Sequence, residues 1–498
     1  MEPKAWIAAA SAPVVRVCAF VIAAGTAVFA WRATISVVVA DAWTFAATFL
    51  ARYYDGTLVL ADFFAKRETL DHSQPVQKVL LLINAQFFDL DFAFEAMFGI
   101  VFGLVFVALI AAIIAADVRR QPRARKTADL ALLGTTAIVF SLNELGVFNW
   151  SLVTLSLFYP VGVTLMLVLA FHCIEQERAS LLGVIVLAAC VALDTSAILC
   201  SAAVLLLIAL RSLSSRRARV PLRVPGAVVA AVIAYLVGYA MVFPAEHAQI
   251  PMHERMSDLI AHAGDAWQAL VVPFGAAVTS PNRISETYGV GATWAFLFVS
   301  AIAAWCGNAW FWREFMRRRD ERLPFVAAGL MLFFYATTAG IVWARVPRFG
   351  FEYLMQPRYA VFYELQLIAI LMLLASTAAR REVRSLPALA FSVGVAAAAV
   401  AALWFLYSSR LNVPSEVEFN RRLADSIVDL ANDPAHVPRD CPIHHLTICA
   451  WPPPLRTEVL GLLQREHLNV FSATFRARHA LPPLPLQIQP APVGGRID

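Results

Sequence analysis

The chain is predicted to be an all-α polytopic membrane protein with about eleven transmembrane helices, juxtamembrane helices in its outer loops and a small C-terminal appendage. Three observations carry this reading. Of 498 residues, 60% are hydrophobic and only 15% charged, and the apolar runs repeatedly reach the roughly 20 residues that one bilayer crossing needs. Basic residues gather in short connections between those runs: Arg119, Arg120, Arg123, Arg125 and Lys126; Arg211, Arg216, Arg217, Arg219 and Arg223; Arg313, Arg317, Arg318, Arg319 and Arg322; Arg380, Arg381 and Arg384. The long polar stretches are confined to a few connections and the C-terminal end.

The spans fall at 10–31, 92–116, 127–142, 151–173, 179–193, 195–210, 225–243, 288–312, 324–343, 359–378 and 387–408. Leu181 to Leu210 is long enough for one helix, but Asp194, Thr195 and Ser196 at its middle predict a tight turn instead. The run Val14–Ala30 resembles a signal peptide in hydropathy; its sparse basic residues and the absence of a clear small-residue cleavage site make it the first span. With this division all four basic clusters share one side, which short basic loops mark as cytoplasmic. The N-terminus is then inside and the C-terminus outside, and the expected location is a bacterial inner membrane. The net charge of +5 is a product of topology; nucleic-acid binding would need a basic groove in a water-facing domain.

Two outer loops are long. In the first (32–91), Asp41 to Tyr54 is predicted as a helix in the headgroup region carrying Trp43, Phe49 and Tyr53. A second helix follows Asp71-His72-Ser73-Gln74-Pro75, with Ser73 as cap, Pro75 in the first turn, and Val76, Val79, Ile83 and Phe87 at helical spacing. In the second loop (244–287), an amphipathic stretch from Met256 to Leu270 precedes Val271-Val272-Pro273-Phe274-Gly275, too short to span and expected to dip into the interface. Both read as a lid or platform over a cavity between helices.

The division is 1–409, a transmembrane domain, and 410–498, a small appendage. Phe419, Leu423, Ile427 and Leu430 predict one amphipathic helix there, and Val459, Leu462 and Leu463 a second, with proline-rich connections. This segment is too poor in core to fold alone and is expected to rest on the outer loops. Five cysteines (Cys18, Cys173, Cys190, Cys200, Cys306) read as small core residues. Cys441 and Cys449 admit either a disulfide around His444 and His445 or, against the usual ligand spacing, a zinc site.

Three constellations carry chemistry. Asp41, with Asp55, Asp62, Asp71 and His72 beyond it, offers a carboxylate suited to draw a proton from a sugar hydroxyl, or a helix cap. Asp71-His72 fits a proton relay, an acceptor-orienting pair, a divalent-ion contact or a solvated turn, and Lys78 a phosphate contact or a snorkelling side chain. Asp89-Leu90-Asp91 reads as an acid pair or a polar helix start. Second, Arg345, Arg348, Glu352 and Arg358-Tyr359 lie between the ninth and tenth spans. Arginines on an outer loop run against the positive-inside trend, and guanidinium grips phosphate bidentately; pairing with headgroups or Glu352 is the plainer reading. Third, Asn143, Glu144, Asn149, Trp150, Asp194, His247, His253, Glu254, Arg255 and Arg283 line other outer turns.

A first span leading to Asp41-Ala42-Trp43, a loop of juxtamembrane helices with an Asp-His pair in its second half, many further spans and a trailing outer domain resemble the GT-C superfamily of integral-membrane glycosyltransferases. The resemblance is architectural and covers the first half best. It implies transfer of a sugar from a polyprenyl-phosphate-linked donor to a glycan or lipid-linked acceptor, in cell-envelope polysaccharide synthesis. Catalytic roles would fall to Asp41, Asp71 and His72, and substrate binding to Trp43, Tyr53, Lys78, Arg345, Arg348, Arg358 and Tyr359. No metal ligand set is expected, although the chemistry admits a divalent cation. Membrane lipids are the other expected partners, and nucleic acid is not. No Trp-Trp-Asp run is present, which argues against protein N-glycosylation. The alternatives are an O-antigen or exopolysaccharide polymerase acting on polyprenyl-diphosphate repeat units, and a lipid-linked glycan transporter or flippase. The latter predicts inverted repeats and charges near mid-membrane.

Overall fold

Each of the eleven apolar runs is helical in the computed structural model, which describes residues 3–66, 73–121, 124–213, 220–243, 252–380, 385–438, 441–442 and 445–484, with side chains from residue 12. Among the described residues there is no strand. The long helices are α1 (Pro3–Ala33), α5 (Phe92–Val118), α6 (Ala124–Val139), α8 (Phe158–Glu175), entered through the short α7 (Ser151–Leu155), α9 (Ala179–Leu193), α10 (Thr195–Ser212), α11 (Arg223–Val242), α15 (Val290–Arg318), α16 (Arg322–Phe349), α17 (Ala360–Arg380) and α18 (Leu386–Ser409). Nine of the described helical stretches are long and apolar enough to cross a membrane, so the chain is a polytopic helical membrane protein. With 16 residues in α6 and 15 in α9, these two fall short of that length.

Polar contacts sort the helix ends into two groups. At one end Asp117 meets Ser376 and Arg380, Arg318 meets Glu321, Arg211 meets Glu175 and Asp320, and Arg223 meets Glu177. This end carries the described members of the basic clusters. At the other, Arg478 meets Asp91, Asn143 meets Ser280, Tyr235 meets Asp194, and Arg283 meets Leu142 and Ser408. The short helices α6 and α9 both run between these ends: α6 leaves from beside Asp117 and arrives at Asn143, and α9 leaves from Glu177 and arrives at Asp194. α6 is sheathed by α1, α5, α17 and α18, and its Thr135 and Thr136 hydroxyls return to the carbonyls of Ala131 and Leu132, so few polar groups face the apolar surroundings.

The end opposite the basic clusters holds the remaining elements. After α1 the chain runs without helix from Thr34 to Ala40, and its backbone groups are satisfied by side chains and loops from elsewhere. Ile35 N donates to Asn149 O (2.7 Å), Asn420 brackets Thr34 and Ser36, and Asn469 accepts from Val38 N while donating to Ser36 O and Leu90 O. A helical stretch follows as α2 (Asp41–Phe45), one π turn (Ala46–Leu50) and α3 (Ala51–Tyr54); α4 spans Pro75–Phe87. The second long loop contributes α12 (Met252–Ala261), α13 (Gln268–Gly275) and α14 (Pro281–Tyr288). α13 is the short apolar run expected to dip inward: it packs on α15, and its Pro273 carbonyl accepts from Gln366 of α17.

The appendage is α19 (Val413–Asn432), α20 (Pro453–Arg465) and α21 (Ala473–Arg478). Its apolar residues Leu423, Ile427, Leu463, Val470 and Phe475 form one core with Ile35, Val38, Trp43, Phe45, Phe49 and Leu90 of the first loop. This corrects the expected placement of Trp43 and Phe49 in the headgroup region. Both are buried, at 0% and 2% exposure, because the appendage covers the face that would otherwise meet lipid. The Asp89-Asp91 pair is a helix start. Asp91 caps α5 through Ala93 N and receives Arg478 of α21 and the following His479 on its other oxygen.

Candidate active site

At the end carrying the first loop, a cavity of about 240 Å3 opens between the bundle and that loop. Three groups of elements build it. The loop supplies Asp41 and Phe45 of α2 and Gln74 and Gln77 at the start of α4; the connection into α8, the first turn of α8 and the first turn of α10 supply Trp150, Ser156, Tyr159, Thr195 and Ser196; and α16 and α17 with their connection supply Thr337, Gly340, Ile341, Arg345, Arg358, Tyr359 and Phe362. Close approach sets the back wall: a Cβ on Gly99 of α5 would strike the backbone of Thr154 and Leu155, so glycine there lets α7 sit against α5 and carry Leu152, Val153 and Ser156 to the cavity.

Asp41 is the one carboxylate among the described lining residues, and Arg345 and Arg358 are the two guanidinium groups. Asp41 occupies the first position of α2, not its cap. The cap position is Ala40, whose φ of 48° and ψ of −123° lie in a region that a Cβ disfavours. The appendage holds Ala40 there: Ala40 N donates to His445 O (2.9 Å) and Thr447 Oγ1 donates to Ala40 O (3.1 Å). His445 and Thr447 sit in the loop closed by the Cys441–Cys449 disulfide, and with the two sulfurs joined the zinc reading loses its thiolates. The backbone that presents Asp41 is therefore gripped by a covalently closed loop about 400 residues away in sequence. Replacing both cysteines with Ser is expected to cost about 2–3 kcal/mol of stability and to broaden the position of Asp41. Thermal unfolding with and without reductant checks it, and identical midpoints would contradict it.

The cationic side is arranged differently from the expected loop. α16 continues to Phe349, so Arg345 and Arg348 are helical, and Gly350, at φ 74° and ψ 173°, turns the chain in a conformation essentially restricted to glycine. Arg345 lies on the face of α16 shared by Thr337 and Ile341, which puts it on the cavity. Arg348, three residues on, is exposed and stacks near Phe349. Arg358 sits in the short connection to α17. One of its terminal nitrogens hydrogen-bonds Tyr353 Oη, its guanidinium lies 5.1 Å from the Tyr353 ring and 5.5 Å from that of Tyr359, and its Nε is buried with no hydrogen-bond partner. Tyr359 is buried and lines the cavity.

Several expected site residues lie elsewhere. Trp43 is within the second core. Tyr53 packs edge-on against Tyr54 (5.1 Å) and does not line the cavity. Lys78 is 5% exposed, and its ammonium donates to the carbonyls of Asp62 and Ala65 at 2.6 and 2.7 Å; it braces the loop from behind by binding carbonyls at and just past the end of the 3-10 turn Leu60–Phe63. Asp62 pairs with Arg52, and Asp55 faces Arg465 at 3.8 Å. Asp71, His72 and His247 lie outside the described residues. Ser73 does not cap α4: the cap position is Gln74, and Ser73 N instead donates to Asp194 Oδ2 at 2.7 Å.

Two buried acids brace the surroundings. Asp194, 1% exposed, joins α9 to α10 with φ 47° and collects Ser73 N, Tyr235 Oη (2.8 Å) and Lys66 Nζ (3.1 Å). Glu144 accepts from Ser280 Oγ (2.8 Å), Gly146 N and Asn282 Nδ2. Burial holds its carboxyl above the usual range, and those three hydrogen bonds offset only part of that rise. A Cβ on Gly146 would strike Pro357, the neighbour of Arg358, so the Glu144 turn forms a floor beneath the Arg358 connection. The sequence puts Asp194 and Glu144 on outer turns without revealing these roles, and Gln77, Ser156, Tyr159 and Thr337 do not stand out in it. Their signal, a polar residue on the inner face of an apolar helix, recurs at many positions that line nothing. Among the described residues, no group of three or more His, Cys, Asp or Glu side chains is placed to hold a metal ion.

No protein-family model matches this chain, and neither curated proteins nor solved structures give a significant match.

Proposed function

We propose that the chain is a membrane glycosyltransferase that moves a sugar from a polyprenyl-phosphate donor to a hydroxyl of a glycan or lipid-linked acceptor at the outer membrane face. The observation that carries this is the convergence of Asp41, Arg345 and Arg358 on one cavity with otherwise mostly apolar and uncharged walls. All eleven helices cross in this reading, the basic end is cytoplasmic, and the disulfide at the other end suits an oxidising compartment. The acceptor O–H gives its proton to Asp41, and its oxygen attacks the anomeric carbon on the face opposite the phosphate. The glycosidic C–O bond breaks with its electron pair passing to the phosphate oxygen, where Arg345 and Arg358 stabilise the added charge. Configuration at the anomeric carbon inverts.

Arg358 gives the direct test. Its forked terminal nitrogens, on a side chain that lines the cavity, suit a phosphate oxygen pair. Arg358→Gln is expected to lower turnover of a prenyl-phosphate sugar by about 10²–10³-fold and to weaken binding of the bare prenyl phosphate, with Arg358→Lys restoring little because the planar fork is lost. Unchanged binding in Arg358→Gln would remove the phosphate assignment. A cavity of this volume suits one sugar on a monophosphate; turnover of a lipid-diphosphate oligosaccharide in preference to it would favour the polymerase instead.

A further inference from the structure

At the basic end of the bundle, every acid among the described residues is engaged within the chain. Asp117 at the end of α5 meets Arg380 of α17 (3.3 Å) and Arg318 of α15 (4.0 Å), both arginines hold Glu321 (2.8 and 2.7 Å), and Arg211 of α10 bridges Asp320 (3.1 Å) and Glu175 (2.5 Å). One network thus joins the ends of α5, α8, α10, α15 and α17. Asp129 meets Arg16, Glu177 meets Arg223 and Glu314 meets Arg317. The cations outnumber these acids. Arg119, Arg120, Arg313 and Arg319, at the ends of α5 and α15, make no side-chain hydrogen bond or ion pair among the described residues, and neither do Arg125, Lys126, Arg178 and Arg322, at the starts of α6, α9 and α16. By sequence alone, the connections 122–123, 214–219 and 381–384 add six arginines and one acid, Glu382, and the N-terminal stretch one of each, Lys4 and Glu2.

Local electrostatics does not account for the excess. Arg125 and Lys126 in the first turn of α6, Arg178 at the cap position of α9 and Arg322 opening α16 stand at the positive ends of their helices, where a cation is disfavoured. An anion from outside the chain is called for, and position identifies its kind. Arg313 is exposed and shares one face of α15 with Val299, Ile302 and Met316, which are 68%, 53% and 45% exposed; about one, three and one helical turns separate the four in sequence order. Apolar side chains exposed along a helix that crosses a membrane face lipid, so the Arg313 guanidinium stands at the boundary between lipid tails and headgroups. A soluble polyanion does not reach that stripe.

We propose that this face of the bundle binds anionic glycerophospholipids, whose phosphates give the cations their counter-charge, with Arg119, Arg120, Arg313 and Arg322 as principal contacts. The inference needs only that the helices cross a membrane, and it stands whether or not the cavity transfers sugar.

The test places the full-length protein in nanodiscs of equal phosphatidylglycerol and phosphatidylcholine, transfers it to a neutral detergent, and measures the ratio of retained lipids by mass spectrometry. Phosphatidylglycerol is expected in about fivefold excess at about 0.1 M salt, falling to about twofold or less at about 1 M as screening shortens the reach of each charge. Neutralising Arg119, Arg120, Arg313 and Arg322 together to Gln is expected to bring the ratio within about twofold of unity, and Arg313→Gln alone to about threefold. These side chains have no partner within the described chain to lose, so the unfolding midpoint in neutral detergent should hold. Arg421→Gln with Arg422→Gln, on an exposed part of α19 at the other end, removes charge of the same sign and should keep the full excess. A ratio near unity for the wild type, an excess untouched by the Arg313 and fourfold variants, or an equal loss in the α19 variant overturns the inference. Loss of the excess in about 10 mM inorganic phosphate, too little to screen, overturns it in favour of a discrete phosphate site.

Discussion

Replacing Asp41 with Asn is expected to lower turnover by about 10²–10⁴-fold, the usual worth of a positioned general base, while leaving donor binding and folding nearly unchanged. Asn keeps the size of the side chain and one of its acceptor oxygens but cannot take a proton. No helix cap is lost, because Asp41 opens α2 without serving as its cap, and the negative charge in the first helical turn contributes about 0.3–1 kcal/mol. Binding of a prenyl phosphate should hold or tighten slightly, since a negative charge leaves the chamber that receives the phosphate. Single-turnover transfer and donor binding measured on the same preparation separate the two effects. Full turnover in Asp41→Asn would remove the residue as base; loss of both turnover and donor binding would show a structural role instead. Asp41→Glu tests position, because an added methylene pushes the carboxylate into a chamber whose geometry is set by the pinned Ala40 backbone, and partial activity is the expected result.

Hydropathy made most of the bundle legible. A crossing helix must be apolar over a fixed length whatever it packs against, so all eleven apolar runs are helices, and the turn at Asp194 is where three consecutive polar residues interrupt an otherwise unbroken run. The helices Asp41–Tyr54 and Pro75–Phe87 were equally readable from spacing and from Pro75. Partnership was less so. Trp43 and Phe49 carry the pattern of an interfacial helix, and nothing local tells that pattern from a helix roofed by a segment about 400 residues later. Lys78 has the same ambiguity: an ammonium at the start of a helix has one appearance in sequence whether it meets phosphate, headgroups or the carbonyls of Asp62 and Ala65. The arginines divided for a geometric reason. Once α16 runs on to Phe349, the three-residue step from Arg345 to Arg348 turns one guanidinium into the cavity and leaves the other exposed.

Asp194 carries the largest expected effect on stability. Its carboxylate gathers a backbone N–H from Ser73, the hydroxyl of Tyr235 and the ammonium of Lys66, which come from two points of the first loop and from α11. Lys66 also lies over the Tyr239 ring at 4.7 Å, and Tyr239 Oη donates to Phe64 O, so Asp194 and the tyrosines of α11 together dock this part of the loop. Asp194→Ala should destabilise the protein by about 3–5 kcal/mol, because removing one partner leaves a half-buried ammonium and two donors facing nothing. The backbone adds a separable contribution. At φ 47° and ψ −122° any side chain is strained, by about 1–3 kcal/mol, and Gly relieves this while lacking the carboxylate; Asn keeps an acceptor for Ser73 or Tyr235 but loses the ion pair. The expected order of thermal stability is therefore wild type, then Asn, then Gly, then Ala. Ala as stable as wild type would mean that the carboxylate gathers none of these donors, and Gly below Ala would mean that the backbone there is unstrained. Because Gln74 follows Ser73, and Thr195 and Ser196 follow Asp194, both sides of this junction line the cavity. Asp194→Asn should accordingly raise the KM for donor more than it lowers kcat, the signature of a loosened binding wall with the base at Asp41 still in place.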